Sequence, residues 1–357
     1  MTKGKPSAGK VALFVLSAAL AAIAIAVVSS RLNAERRKPP RRERPLIGFS
    51  MDSLVAERWT RDRDVFMATA KFFGCDVLLQ IADEDPKTQE AQIQYLIDQG
   101  VDSLVVVATD TSSVGRIVTE AKRRGIPVLS YERLVLGANT DLYLAFDYAT
   151  VGKLQAQTVL DRLKGRGRIA LIDGVRSDPT AETIRAGWMS VLGPAVESKA
   201  VAIVGELKPA VLGSEESYRF TDELCASEEG VDAVIAASDL FAEAAIRALS
   251  VHRLAGKVLV AGVDADLAAC QRIAEGTQLL TIYKPIGEIA FKGAELANYL
   301  ARSERVSVHR AISDGTYRVP FFMLDPVLVT RDNLKSTVIK DGFHLEEDVY
   351  RNVIGKR

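Results

Sequence analysis

The segment Ser53-Leu54-Val55-Ala56-Glu57-Arg58-Trp59-Thr60-Arg61-Asp62 sets an arginine beside a tryptophan just past the first apolar run of the chain. A guanidinium offers a rigid fork of donors, and an indole offers a broad apolar face. Side by side they suit a polyhydroxylated ring, with hydroxyls on the fork and the ring's apolar face on the indole. Far downstream, Thr281-Ile282-Tyr283-Lys284-Pro285 puts a lysine at the end of another apolar run. Polar residues follow other runs in the same way: Asp52, Glu132-Arg133, Asp147, Asp173, Ser238-Asp239 and Asp264. Plainer roles compete at each position. Arg58 can pair with Asp62 one helical turn on, Trp59 can be core, and Asp264 can cap a helix.

Other chemistry finds little support. His252, His309 and His344 are far apart in sequence and have no nucleophile or metal spacing around them. Cys75, Cys225 and Cys270 are scattered and odd in number, which reads as small apolar side chains rather than a disulfide framework. Asp83-Glu84-Asp85-Pro86 reads as a capped turn, because it lacks the glycine turn and spaced oxygens of a metal loop. No phosphate-binding loop, zinc pair or nucleophile elbow occurs. The sequence therefore predicts a binding protein without cofactor or metal, and not an enzyme.

The elements that must position these residues are legible from pattern. The chain has 357 residues, 48% hydrophobic and 26% charged, enough for roughly two domains. Lys plus Arg equals Asp plus Glu at 46 each, so no basic surplus points to nucleic acid. From Pro45-Leu-Ile-Gly-Phe-Ser50 onward, short apolar runs alternate with helical stretches. Cys75–Ile81, Ser103–Ala108 and Ile126–Tyr131 each follow a helical pattern closed by Gly74, Gly100 or Gly125, a C-cap signal. The alternation continues through Arg168–Asp173, Val201–Gly205, Val231–Ala236, Lys257–Gly262 and Leu279–Tyr283. Continuous rather than alternating apolar runs suit parallel strands buried on both faces. The fold class is α/β, and the number of strands asks for two similar doubly wound lobes. In such sheets ligands sit beyond the carboxyl ends of the strands, where the polar residues above fall.

The N-terminal stretch is different. Lys3, Lys5 and Lys10 precede Val11–Val28, an uncharged run of about 18 residues, near the length of a spanning helix. Residues 1–30 are expected to act as a retained membrane anchor. The competing reading is an export signal cut after Val28-Ser29-Ser30. No cysteine follows the run to carry a lipid. Residues 31–44, basic and containing Pro39-Pro40, read as an extended linker.

Residues 45 to 344 resemble the D-xylose-binding proteins of bacterial ABC transporters. The resemblance rests on Glu57-Arg58-Trp59, Gly100-Val-Asp-Ser-Leu-Val, Gly262-Val-Asp-Ala-Asp-Leu-Ala, Arg272-Ile-Ala-Glu-Gly-Thr-Gln and Ser336-Thr-Val-Ile-Lys-Asp-Gly-Phe-His344. It implies a type I periplasmic-binding-protein fold, two lobes joined by three crossings that close on a sugar by hinge motion. By similarity the crossings fall near Asp147, Ile282 and Val319–Phe322. That gives one lobe of residues 45–147 plus 283–320, a second of 148–282 plus 321–345, and a tail of 346–357.

The resemblance also implies the ligand residues. Arg58, Trp59, Arg133, Asp147, Asp264 and Lys284 stand at matching positions, with Asp239 beside them. Other positions depart from the family pattern. Glu132 stands for an aspartate, Tyr148 and Ser238 for asparagines, Lys208 for a second stacking tryptophan, and Thr180 or Pro179 for a further asparagine. Tyr218 and Phe241 are alternative sources of the missing ring. Each buried hydroxyl left without a partner costs about 1–3 kcal/mol, so these changes predict that xylose itself binds weakly, at about 100 μM or above. Lys208 suits an acidic group on the ligand.

The implied function is an extracytoplasmic sugar receptor, membrane-anchored, that delivers its ligand to an ABC permease. The alternative is an anchored sugar sensor docking on a histidine kinase. A repressor core of the same fold would need a helix-turn-helix before the first lobe, and residues 1–44 offer an apolar run and two prolines instead.

Overall fold

The computed structural model describes residues 42–54, 57–175, 180–211 and 213–353, with the side chains of Glu57 and Arg58 excepted. The chain divides into one unit up to Pro45 and another from Leu46. In the first, the described residues 42–45 form neither helix nor strand. The anchor expected at Val11–Val28 lies outside the described residues. Among the described residues no helix is long and apolar enough to cross a membrane.

In the second unit the apolar runs become strands and the intervening stretches helices. The first lobe opens with β1 (Leu46–Met51), α1 (Glu57–Phe72), β2 (Asp76–Ile81), α2 (Pro86–Asp98), β3 (Ser103–Val106), α3 (Gly115–Arg123), β4 (Val128–Tyr131) and β5 (Leu142–Phe146). The second contains α4 (Tyr148–Arg162), β6 (Gly167–Ile172), α5 (Ala181–Glu197), β7 (Val201–Leu207), α6 (Glu215–Ala226), β8 (Ala233–Ala236), α7 (Asp239–Val251), β9 (Leu259–Val263), α8 (Leu267–Glu275) and β10 (Leu280–Tyr283). The chain then returns through α9 (Ile286–Ala301), β11 (Arg310–Ser313) and β12 (Arg318–Leu324) to the first sheet. It ends in the second lobe with β13 (Val327–Thr330), a π turn at Lys335–Ile339 and α10 (Glu346–Val349).

The first sheet runs β11-β12-β5-β4-β3-β1-β2 and the second β13-β10-β9-β8-β6-β7. Among the described residues only β11 and β13 pair antiparallel with their neighbours. In β6, Ile169 and Leu171 enter one apolar cluster, while Ala170 and Ile172 enter another on the opposite face. Successive strand residues point to opposite faces, so a strand covered by helices on both sides must be apolar throughout. This is why the runs read as continuous.

Asp85 fulfils the capping expectation. Its carboxylate accepts from the N–H groups of Lys87 and Thr88, and Pro86 opens the helix. Cys75 and Cys270 are buried and Cys225 is half-buried, all three as free thiols.

The chain passes between sheets at Asp147 after β5, at Lys284-Pro285 after β10 and at Asp325-Pro326 between β12 and β13. The last crossing falls later than the Val319–Phe322 expected from sequence. Residues 321–324 pair in register with residues 143–146 of β5, so they belong to the first sheet. Val349 of α10 is buried in a cluster with Cys270, Leu334 and Val338, so the segment read as a tail packs into the second lobe at least to Val349.

Candidate ligand-binding site

Parallel strands place the residue after each strand at one edge of the sheet. In the first sheet Asp52 follows β1, Glu132-Arg133 follow β4 and Asp147 follows β5; in the second Asp173, Lys208, Asp264 and Lys284 follow β6, β7, β9 and β10. The two edges are linked through Tyr148, which contacts both Glu132 and Lys284.

Arg133 is the centre of the first lobe's contribution. One guanidinium nitrogen donates to Asp52 Oδ2 at 2.7 Å and to the Ala108 carbonyl at 2.8 Å. The guanidinium carbon lies 5.7 Å from the centre of the Trp59 ring, a cation–π distance. Trp59 itself is only 7% exposed and joins the core cluster of Phe49 and Phe66. It is therefore a core residue whose ring also meets the Arg133 guanidinium. The Arg58 side chain lies outside the described residues. Its candidate structural partner, Asp62, is fully buried and accepts a hydrogen bond from the Tyr131 hydroxyl.

Glu132 and Tyr148 meet across the first crossing. The Tyr148 hydroxyl donates to Glu132 Oε2 at 2.7 Å, and the Tyr143 hydroxyl donates to the Glu132 carbonyl at 3.1 Å. The Tyr148 ring carries the Lys284 ammonium at 5.5 Å. Lys284 in turn pairs with Asp264 at 2.9 Å. The contacts thus run Glu132, Tyr148, Lys284, Asp264 from the first lobe into the second. Glu132 and Asp264 hold positive φ angles of 61° and 104°. They are two of the ten described non-glycine residues with positive φ, and the two that stand in this contact chain.

Asp147 caps α4, accepting from the Thr150 N–H at 3.0 Å and the Thr150 hydroxyl at 2.8 Å. Glu132, Arg133, Asp147 and Tyr148 all line one cavity of about 230 Å³.

The remaining expected residues take other positions. Ser238 caps α7, its hydroxyl accepting from the Phe241 N–H at 3.3 Å. Asp239 is 1% exposed and faces into the second lobe. Its carboxylate accepts from Gln278 at 2.8 Å, the Thr281 hydroxyl at 2.9 Å and the Asp266 N–H at 3.1 Å. Burial first, then the charges of Asp266 and Asp264, push its carboxyl well above the usual range, against the pull of Gln278 and Thr281. Lys208 pairs loosely with Glu182 of its own lobe at 3.6 Å. Phe241 is buried in the core, and the Tyr218 ring carries Arg247 at 5.4 Å. Phe241 is thus spent on packing.

Sequence reasoning places one contributor without its partner and passes over another. Asp52 stands at a strand end, but only the folded chain shows it holding Arg133. Its Oδ1 is buried and has no partner among the described residues. Tyr143, on β5, lines the cavity and fixes the Glu132 backbone. Burial, then the Glu132 charge, push its hydroxyl pKa up. No local pattern distinguishes it from a core residue of a central strand.

Two parallel-sheet lobes with three crossings, gathering charged and aromatic side chains at their strand ends, define a two-lobe ligand-binding protein. The chain belongs to the periplasmic binding protein family, whose domain matches residues 47–305. It is 39% identical over 305 residues to the D-xylose-binding periplasmic protein of Haemophilus influenzae, covering 85% of this chain and 92% of that one. It is 40% identical over 304 residues to the D-xylose-binding periplasmic protein of Escherichia coli, with the same shares covered. Among solved structures it is similar to an ABC transporter solute-binding protein from Clostridium phytofermentans with bound β-D-glucose. The TM-score is 0.73 at 25% identity, over 85% of this chain and 99% of that one.

Proposed function

We propose that this chain is an extracytoplasmic receptor for a monosaccharide, xylose or a related sugar, and that it serves an ABC sugar permease. The observation that carries the reading is the pair Trp59 and Arg133 in the first lobe together with Tyr148, Lys284 and Asp264, which are joined by contacts at the crossings into the second. The xylose-binding relatives and the glucose-bound structure support a sugar as the ligand. Trp59 offers a ring face, Arg133 and Lys284 offer donors, and Asp264 and Asp147 offer acceptors, with Arg58 completing the clamp. Asp264, Lys284 and Arg133 exchange part of their present pairing for sugar hydroxyls. The lobes close by rotation about Asp147, Lys284-Pro285 and Asp325-Pro326. Ser238, Asp239 and Lys208 act behind this first ring of contacts, as supports or at the rim.

Residues 11–28 hold the receptor at the outer face of the membrane. A second reading, a sugar sensor that docks on a histidine kinase, draws on the same uncharged run, which a tethered sensor also needs. The test is calorimetry on the full-length chain with pentoses, hexoses and sugar alcohols. One-to-one binding of a monosaccharide is expected, with xylose at about 100 μM or weaker. Low-micromolar xylose binding overturns the altered specificity and restores the plain xylose assignment. Absence of binding by every sugar overturns the receptor itself.

A further inference from the structure

We propose that the cavity beside Tyr148 is an aglycone subsite, so that the preferred ligand is a sugar carrying an apolar, ring-sized substituent. The proposal rests on the sugar-receptor reading above. The cavity has a volume of about 230 Å³ and shares Glu132, Arg133, Asp147 and Tyr148 with the sugar contacts. Leu134, Leu136, Phe146, Ile312, Phe321 and Met323 form an apolar wall, and Thr111, Thr180 and Thr183 complete the lining. Leu136 and Ile312 are 40% and 37% exposed. Phe321 stacks on Tyr143 with ring centres 4.7 Å apart, which fixes the floor.

Several polar groups at the cavity edge already hold hydrogen bonds within the protein. The Glu132 carboxylate takes the Tyr148 hydroxyl, the Tyr143 hydroxyl goes to the Glu132 carbonyl, and the Asp147 carboxylate accepts from Thr150 while keeping lone pairs for a sugar hydroxyl. Hydroxyls of a second sugar ring turned toward the apolar wall would find no partners there, whereas an apolar group needs none. A dry cavity of about 150 Å³ accepts benzene, so this volume suits a phenyl-sized group. Since the cavity shares Arg133, Asp147 and Tyr148 with the sugar contacts, its occupant is carried on the sugar.

The test is calorimetry on the full-length chain with free pentose, methyl pentopyranosides and phenyl pentopyranosides, each glycoside as both anomers. For one anomer the phenyl compound is expected to bind at least about tenfold tighter than its methyl counterpart. Leu136→Trp, which fills the cavity from its exposed side, should abolish that gain and leave free-pentose affinity unchanged. Ile312→Trp on the edge strand is the second variant, with the same expectation should Leu136→Trp fold poorly. Equal affinity of methyl and phenyl compounds for both anomers overturns the subsite while leaving the receptor reading intact. A phenyl gain that survives both variants also overturns it. Failure of free pentose and every glycoside to bind overturns both readings together.

Discussion

Arg133→Met separates stability from ligand binding at one residue. The substitution keeps an apolar stem of similar length and removes the fork. Asp52 would then lose the donor 2.7 Å from its Oδ2. Its Oδ1 has no partner among the described residues, and the residue is only 7% exposed. Breaking a buried pair by removing one member costs about 3–5 kcal/mol. Here the Arg133 side chain is 32% exposed, and water reaching the vacated position recovers part of that, so about 2 kcal/mol is expected. The second change Asp52→Asn removes the stranded charge and should recover most of the loss. Sugar binding should not return, because the Arg133 fork is still missing. Urea unfolding reads the first effect and calorimetry the second. If Arg133→Met unfolds within about 0.5 kcal/mol of the wild type, the Asp52 pair carries no stability. If the double variant binds sugar normally, Arg133 is no ligand contact.

Four further outcomes are expected. Trp59→Ala should weaken sugar binding by about 1–3 kcal/mol and also destabilise the fold by about 3 kcal/mol, because the indole belongs to the Phe49–Phe66 cluster; unchanged urea unfolding would show that the ring is not core. Gly262→Ala should cost about 2–3 kcal/mol in the same assay, since a Cβ there would lie 2.0 Å from Asp239 Oδ1 and 2.8 Å from Gln278 Nε2; a neutral result would mean that the Asp239 network yields freely. Desolvation, then the Asp264 charge, raise the Asp266 carboxyl to about 6. The stability it contributes is full below about pH 4 and is lost as pH rises through about 6, so the gain in melting temperature of Asp266→Asn over wild type should grow across that window, and a pH-independent difference would refute the assignment. Full-length protein should stay with membranes through carbonate extraction, whereas a mature chain beginning near Arg31 would show a cleaved signal.

How much of this was legible in the sequence depends on the range of the interaction. Apolar runs such as Ser103–Ala108 declared buried parallel strands because a strand covered on both faces has no polar side to show. The same logic placed Arg133, Asp147, Asp264 and Lys284 at one edge, since strand ends in parallel sheets share a side. Asp85 announced its cap within three residues. Longer-range matters were not local properties. The third crossing depended on how far β12 pairs with β5, and pairing between residues so distant in sequence leaves no mark in either segment. Asp239 and Asp264 look alike as carboxylates after strands. One turns inward because Gln278, Thr281 and the open space over Gly262 receive it, and the other meets Lys284 at a crossing. That choice, like the meeting of Glu132 with Tyr148, was made by packing in three dimensions, where a buried polar group settles wherever its hydrogen bonds can be satisfied.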